Sequence, residues 1–344
     1  MVIKLNLKKI IFWFFIIILV LWVFTPRNKL AFYGYYCEEE GELASSFSSA
    51  FLHASVLQGV AFFWYQCLEN GEIAVQGEVD LDMLKYLQAK GLKSYAVFHN
   101  LQEGQFNSAA VEKILKDDSV SEKLIANMVK IVLEQNFTGV NLDLENIPPE
   151  LRNDLSDFVA RLKSQLQAHG RQLSIAVPAK EEDDLNSRWS GAFDYAALAK
   201  QADYLVIMAY EEHGFTTVPG PIASLPWVEE VIKYSLSQVP KEKLVLGIPV
   251  YGFLWNSENK PPRYFSYSQL KKIAKEQGVK SQWDNIAKAP YFSYNEGKTT
   301  YWSWYEDKRS FSYKLGLARK YGLAGVAIWR LGMEDPNIWD RIKK

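Results

Sequence analysis

Cysteine and histidine are scarce in this chain of 344 residues: two Cys (Cys37, Cys67) and four His (His53, His99, His169, His213). Two cysteines exclude a disulfide-dense scaffold. Each ends an apolar run, YGYYC and FFWYQC, so one bridge between neighbouring strands is open, and so are two separate thiols. The histidines are scattered without metal-ligand spacing, and no metal site is expected. An excess of charge is also missing. Lys and Arg number 39 against 40 Asp and Glu, net −1, which removes the electrostatic footprint of a nucleic-acid binder. Internal repeats and low-complexity segments are absent too, which sets aside repeat architectures.

Aromatic residues, by contrast, are abundant: 11 Trp, 19 Tyr and 19 Phe. They serve a large core or stacking surfaces for sugar rings. At the N-terminus Lys4, Lys8 and Lys9 precede an unbroken apolar run from Ile10 to Phe24, followed by Pro26, Arg27 and Lys29. The run has no polar face, and no small-residue cleavage site follows it. Residues 1–29 are therefore expected to be an uncleaved membrane anchor, with a cleaved signal segment as the alternative. In either case the rest of the chain is exported.

Residues 30–344 read as one domain. Short apolar runs at 30–36, 59–66, 92–99, 137–145, 172–179, 203–210, 243–252 and 323–331 alternate with amphipathic stretches. Eight strand runs separated by helical patterns predict an α/β fold, a (β/α)8 TIM barrel. The stretch from Ala109 to Glu134 shows apolar residues at helical spacing (Leu124, Met128, Ile131, Val132). A small α+β insertion is expected at about 255–308, between the seventh and eighth strands, because so long a gap without structure is improbable in a compact domain.

The most informative segment is FTGVNLDLEN, Phe137 to Asn146. At period two, Val140, Leu142 and Leu144 share one face, and Asn141, Asp143 and Glu145 the other. Lining carboxylates along a strand that should be buried is costly without a purpose. Two like charges so close push their pKa values apart, and one then holds a proton near neutral pH. The position is the C-terminal end of a barrel strand, where barrel enzymes keep their chemistry. The same end should receive Tyr210 and Glu211 from DYLVIMAYEEHG and Trp329 from VAIWRLGMED. A phenol, a further carboxylate and an indole face converging on an acid make a floor for sugar.

With these residues assembled, the chain resembles glycoside hydrolase family 18, the chitinase family. GVNLDLEN is similar to the family's DGxDxDxE signature. PGPIASLPWVEEV (219–231), KLVLGIPVYGFLW (243–255), MAYEEHG (208–214) and WRLGMEDPNIW (329–339) are closer to its bacterial spore-cortex-lytic N-acetylglucosaminidase branch. The resemblance runs from Leu30 to Trp339. It implies a glycosidase acting on a β-1,4-linked N-acetylglucosamine polymer, peptidoglycan before chitin, without metal or cofactor. The substrate's own acetamido oxygen attacks the anomeric carbon, with retention. By position, Glu145 matches the acid, Asp143 the residue that orients the acetamido group, Tyr210 the donor to its carbonyl, and Trp329 the indole beneath the sugar. Asn141, Glu211 and Asn146 are expected to bind substrate, and Asn146 serves equally well as a turn residue. The alternative is a catalytically silent, lectin-like barrel.

Three positions depart from the family pattern. Thr138 and Asn141 stand where Asp is usual, and Glu211 where the sixth-strand motif has Asp. Without an acid at 141 to share its proton, Asp143 is expected to be more fully ionised. The acidic run EEDD (181–184) is expected to be a solvated loop, and Tyr251, Trp255, Trp302 and Trp304 are further subsite candidates.

Overall fold

A strand that is apolar on both faces must be covered on both, and a barrel wrapped in helices does this. The computed structural model describes residues 30–342 apart from 40, 42, 44, 78 and 259. Eight parallel strands close into a barrel: β1 (Ala31–Tyr36), β2 (Gly59–Cys67), β3 (Lys93–His99), β4 (Gly139–Asp143), β5 (Gln172–Pro178), β6 (Tyr204–Met208), β7 (Leu244–Pro249) and β8 (Gly325–Trp329). Closure comes from β1, which pairs with β2 on one side and β8 on the other. The expected anchor, residues 1–29, lies outside the described residues. Within the described ones, no helix is long and apolar enough to cross a membrane.

Each barrel strand sends alternate side chains to two cores. Val140, Leu142 and Leu144 of the β4 segment join the large cluster between strands and helices. Tyr35, Ala61, Phe63, Tyr95, Val97, Val206, Val245 and Ala327 fill the barrel interior. Cys37 belongs to that interior cluster and Cys67 to the outer one, so the two lie on opposite sides of the wall and remain thiols. Gly139 marks the tightest strand contact, where a Cβ would meet the Gln172 carbonyl oxygen at 2.0 Å.

The structure corrects two expected elements. The helical stretch 109–134 is two helices, Ser108–Lys116 and Asp118–Glu134. Asp117 breaks it: its backbone is extended, and its side chain caps the second helix through the Ser119 and Val120 amides. The apolar run 243–252 is also two strands. β7 ends at Pro249, and Tyr251–Asn256 opens an antiparallel sheet outside the barrel. That five-stranded sheet runs in the order Arg263–Ser266, Tyr251–Asn256, Thr299–Tyr305, Ala289–Glu296, Gln282–Asp284. With the helix Tyr267–Glu276 it encloses a small core of Leu254, Phe265, Leu270, Ala274, Phe292 and Tyr305.

Candidate active site

The inward face of β4 carries Asn141 and Asp143, both buried. Asn141 is held from two sides: Tyr35 Oη of β1 donates to its Oδ1 at 3.1 Å, and its Nδ2 donates to Ser174 Oγ of β5 at 2.9 Å. Asp143 ends the strand, and its Oδ1 is buried without a hydrogen-bond partner. Burial pushes the Asp143 pKa up. The expected fuller ionisation of Asp143 is thus opposed: losing an acidic neighbour at 141 removes one reason to hold a proton, but desolvation supplies another. Glu145 follows two residues on and is 8% exposed. Its pKa lies well above the ordinary carboxylate range, first through burial and then through the charges of Asp143 and Glu211. Among the described residues neither acid forms an ion pair with Lys or Arg, so nothing offsets these effects. The pair is built to keep a proton on Glu145.

The backbone of Glu145 is fixed from the neighbouring strand. Asn100, buried one residue beyond β3, accepts the Glu145 amide at 2.9 Å and donates to the Glu145 carbonyl at 2.9 Å. Its Nδ2 also donates to the Asn107 carbonyl at 3.1 Å. Asn146 takes a left-handed backbone with φ 55°, and its side chain donates to the Phe106 carbonyl at 3.1 Å. The structure gives Asn146 the turn role, pinning the loop after β4 to the loop after β3.

Tyr210 lies just beyond β6. Its hydroxyl pKa is raised well above normal, first by burial and then by the charges of Tyr35, Asp143, Glu145 and Glu211, which places the phenol with the acids. Gly247 of β7 makes room for it: a Cβ there would lie 2.5 Å from the Ile207 carbonyl oxygen and 3.0 Å from the Tyr210 ring. Glu211, at φ 62°, accepts a hydrogen bond from Tyr251 Oη at 3.1 Å. Trp329 ends β8 and stands edge-on to Tyr35 (5.1 Å) and Phe63 (5.4 Å), flooring the barrel mouth.

The insertion walls one side of this mouth. Residues 251, 253 and 255 of its first strand share a face, and that face docks on the loop after β6. Tyr251 bonds Glu211, Phe253 packs edge-on to Phe215 at 4.8 Å, and Trp255 Nε1 donates to the Gly214 carbonyl at 3.3 Å. Tyr251 and Trp255 are buried, so their role is to carry the wall rather than to present an open stacking face. Asp183 of the EEDD loop is tied down by Arg152 and Lys180. Thr138 sits at the opposite end of β4 from the acids, where its Oγ1 accepts the Ser94 amide at 3.0 Å.

The structure thus gathers Asn141, Asp143, Glu145, Tyr210, Glu211 and Trp329 at one mouth, while Asn146 supports the loop beneath. Sequence reasoning missed Tyr35, His99, Asn100 and Ser174. Asn100 had a signal, as a polar residue immediately after a buried strand. Among the described residues no group of three His, Cys, Asp or Glu is placed to hold a metal ion.

Comparison with known proteins agrees with this geometry. The model of glycosyl hydrolases family 18 matches residues 33–334, and the chain belongs to that family and is a glycosidase. It is 28% identical over 272 residues to the uncharacterized glycosylase YvbX of Bacillus subtilis, covering 78% of this chain and 79% of that one. It is 28% identical over 248 residues to the cortical fragment-lytic enzyme of Bacillus anthracis, covering 71% of this chain and 57% of the relative's length. Among solved structures, the Chromobacterium violaceum chitinase superposes with a TM-score of 0.83 at 27% identity, over 91% of this chain and 98% of that one. The spore cortex-lytic enzyme SleL of Bacillus cereus shares the fold with a TM-score of 0.83 at 24% identity, over 91% and 73%.

Proposed function

We propose that this protein hydrolyses a β-1,4-linked polymer containing N-acetylglucosamine, with peptidoglycan as the substrate, by substrate-assisted catalysis with retention. The observation that carries the reading is the buried, ion-pair-free Glu145 at the barrel mouth, kept protonated beside Asp143. A carboxylic acid in that state can protonate the leaving glycosidic oxygen and, once ionised, activate water. Asp143 faces the same space, where its carboxylate orients the acetamido N–H and stabilises the positive charge that develops as the acetamido oxygen attacks. Tyr210 donates to the acetamido carbonyl, and the Trp329 indole supports the sugar ring. Peptidoglycan is favoured over chitin by the cortical fragment-lytic relative. The apolar run Ile10–Phe24, with Lys before it, supports a tether that holds the barrel outside the cytoplasm.

Incubating the full chain with purified peptidoglycan and, separately, with chitin oligomers, followed by mass analysis, tests the reading. Muropeptide fragments ending in N-acetylglucosamine are expected in the mass spectra, and the β-anomer at the new reducing end in proton NMR spectra recorded before mutarotation. Release from chitin alone would replace the substrate, and binding without release from either would make the barrel a lectin.

A further inference from the structure

Two buried polar atoms in the barrel interior lack partners, and they are complementary: His99 Nε2 and Asp143 Oδ1. The residues are paired in register across β3 and β4, so their side chains leave adjacent strands in the same direction, about 4.8 Å apart at the backbone. The His99 ring lies flat on Phe63, centroids 4.0 Å apart and planes within 5°, which fixes its orientation in the interior cluster. The Leu101 amide donates to Nδ1 at 3.2 Å, so the neutral ring carries its proton on Nε2. Burial drives the imidazole pKa down to about 3, so this donor stays uncharged and present at every working pH.

Asp143 needs such a donor whenever it is ionised. Its surroundings are otherwise poor in them. The Tyr35 hydroxyl donates to Asn141, and the Asn141 amide donates to Ser174. The remaining titratable groups facing the acids are Glu145, Tyr210 and, acting on Glu145, Glu211. In the proposed reaction the Glu145 proton goes to the leaving oxygen and the Tyr210 hydroxyl to the acetamido carbonyl.

We infer that His99 is a positioning residue for Asp143, its Nε2–H supplying the hydrogen bond that holds the Asp143 carboxylate in orientation when it ionises. The pair is in register on adjacent strands, so rotation of the Asp143 side chain is the movement that would make this bond. The inference rests on the function proposed above.

The test uses the full chain, oligomers of β-1,4-linked N-acetylglucosamine and two substitutions. His99→Phe keeps a flat ring on Phe63 and removes the N–H; His99→Asn keeps a donor. His99→Phe should lower kcat about tenfold, leave KM within about twofold, and move the acidic limb of the kcat/KM profile up by about one pH unit, as loss of one buried hydrogen bond to a carboxylate predicts. His99→Asn should restore the limb toward wild type. In an Asp143→Asn background, His99→Phe should change the residual rate by less than about twofold. An unmoved acidic limb, or the same tenfold loss without the Asp143 carboxylate, would reduce His99 to packing and overturn the inference. If the phenylalanine variant does not fold, nitrogen NMR of wild-type His99 decides independently. The Nε2–H tautomer with a proton shift that responds to Asp143→Asn supports the bond, and an Nδ1–H tautomer refutes it. A wild-type chain inactive on every oligomer and on peptidoglycan would instead sink the functional reading, with the NMR result still judging the His99–Asp143 contact.

Discussion

Asn100→Ala is the sharpest probe of how the scaffold aims the acid. The substitution removes three hydrogen bonds at once: the Glu145 amide to Oδ1, and Nδ2 to the Glu145 and Asn107 carbonyls. The Glu145 amide then becomes a buried donor without an acceptor, at a cost of about 1–3 kcal/mol. The Glu145 carbonyl loses its partner in the same buried place, a smaller loss because a carbonyl has a second lone pair. The Asn107 carbonyl lies nearer solvent and recovers a partner in water. The sum is a loss of roughly 2–4 kcal/mol in folding stability, large for one polar side chain. The effect on rate is separable. A displacement of the catalytic group by about 1 Å costs on the order of 10²-fold, and it should fall on kcat rather than KM because sugar contacts elsewhere persist. Asn100→Asp sharpens the comparison: it keeps the acceptor for the amide but turns an oxygen toward both carbonyls. It should therefore be at least as slow as the alanine variant. Urea unfolding gives the stability term, and single-turnover hydrolysis of a short N-acetylglucosamine oligomer gives the rate. An alanine variant within about 0.5 kcal/mol of wild type and with unchanged kcat would show that the strand end holds Glu145 without help.

Glu145→Gln should retain sugar binding while turnover falls by at least about 10²-fold, measured by calorimetric titration beside hydrolysis. The same variant should differ in stability with pH. The folded Glu145 pKa is raised above its unfolded value, so the folded state binds the extra proton and the wild type loses stability as pH rises past the unfolded carboxylate value. Glu145→Gln should match wild type near pH 4 and exceed it at pH 8 in urea titrations; a gap that does not widen with pH would contradict the burial argument. The raised Asp143 pKa places the acidic limb of kcat/KM above the ordinary carboxylate range, and a limb at about pH 4 in a pH–rate profile would refute it. Gly247→Ala should displace the Tyr210 ring, raising KM and lowering kcat, because a Cβ meets both a carbonyl oxygen and that ring; kinetics indistinguishable from wild type would show that Tyr210 has other room.

Much of this was legible in the chain because alternation is a local signal. In β4 the residue-by-residue switch between Val140, Leu142, Leu144 and Asn141, Asp143 named the strand, its two faces and the acids in one reading. Other features depend on long-range geometry. His99 and Asn100 acquire meaning only from residues more than forty positions away on the next strand; in sequence His99 ends the apolar run 92–99 and Asn100 follows it, with no acid beside them. Tyr35 was hidden in a string of aromatics whose inward members cannot be told from outward ones. The start of the insertion was blurred because β7 and the strand after it are both apolar and only Val250 separates them. The break at Asp117 escaped because helical spacing continues on both sides of it. The effect of burial on Asp143 could not be read from the chain, since desolvation belongs to the fold and not to the neighbour at 141.

The docking of Tyr251, Phe253 and Trp255 on Glu211, Phe215 and Gly214 has a consequence for modularity. The subdomain beyond β7 is not an accessory that can be exchanged at its stem. A graft from a relative would have to import its first strand and the β6 loop together, because each supplies half of a single joint. The far edge of that sheet is held as well, since Trp283 lies against Arg309 and Tyr313 of the helix Lys308–Tyr321, so an exchanged subdomain would have to match the barrel at a second place.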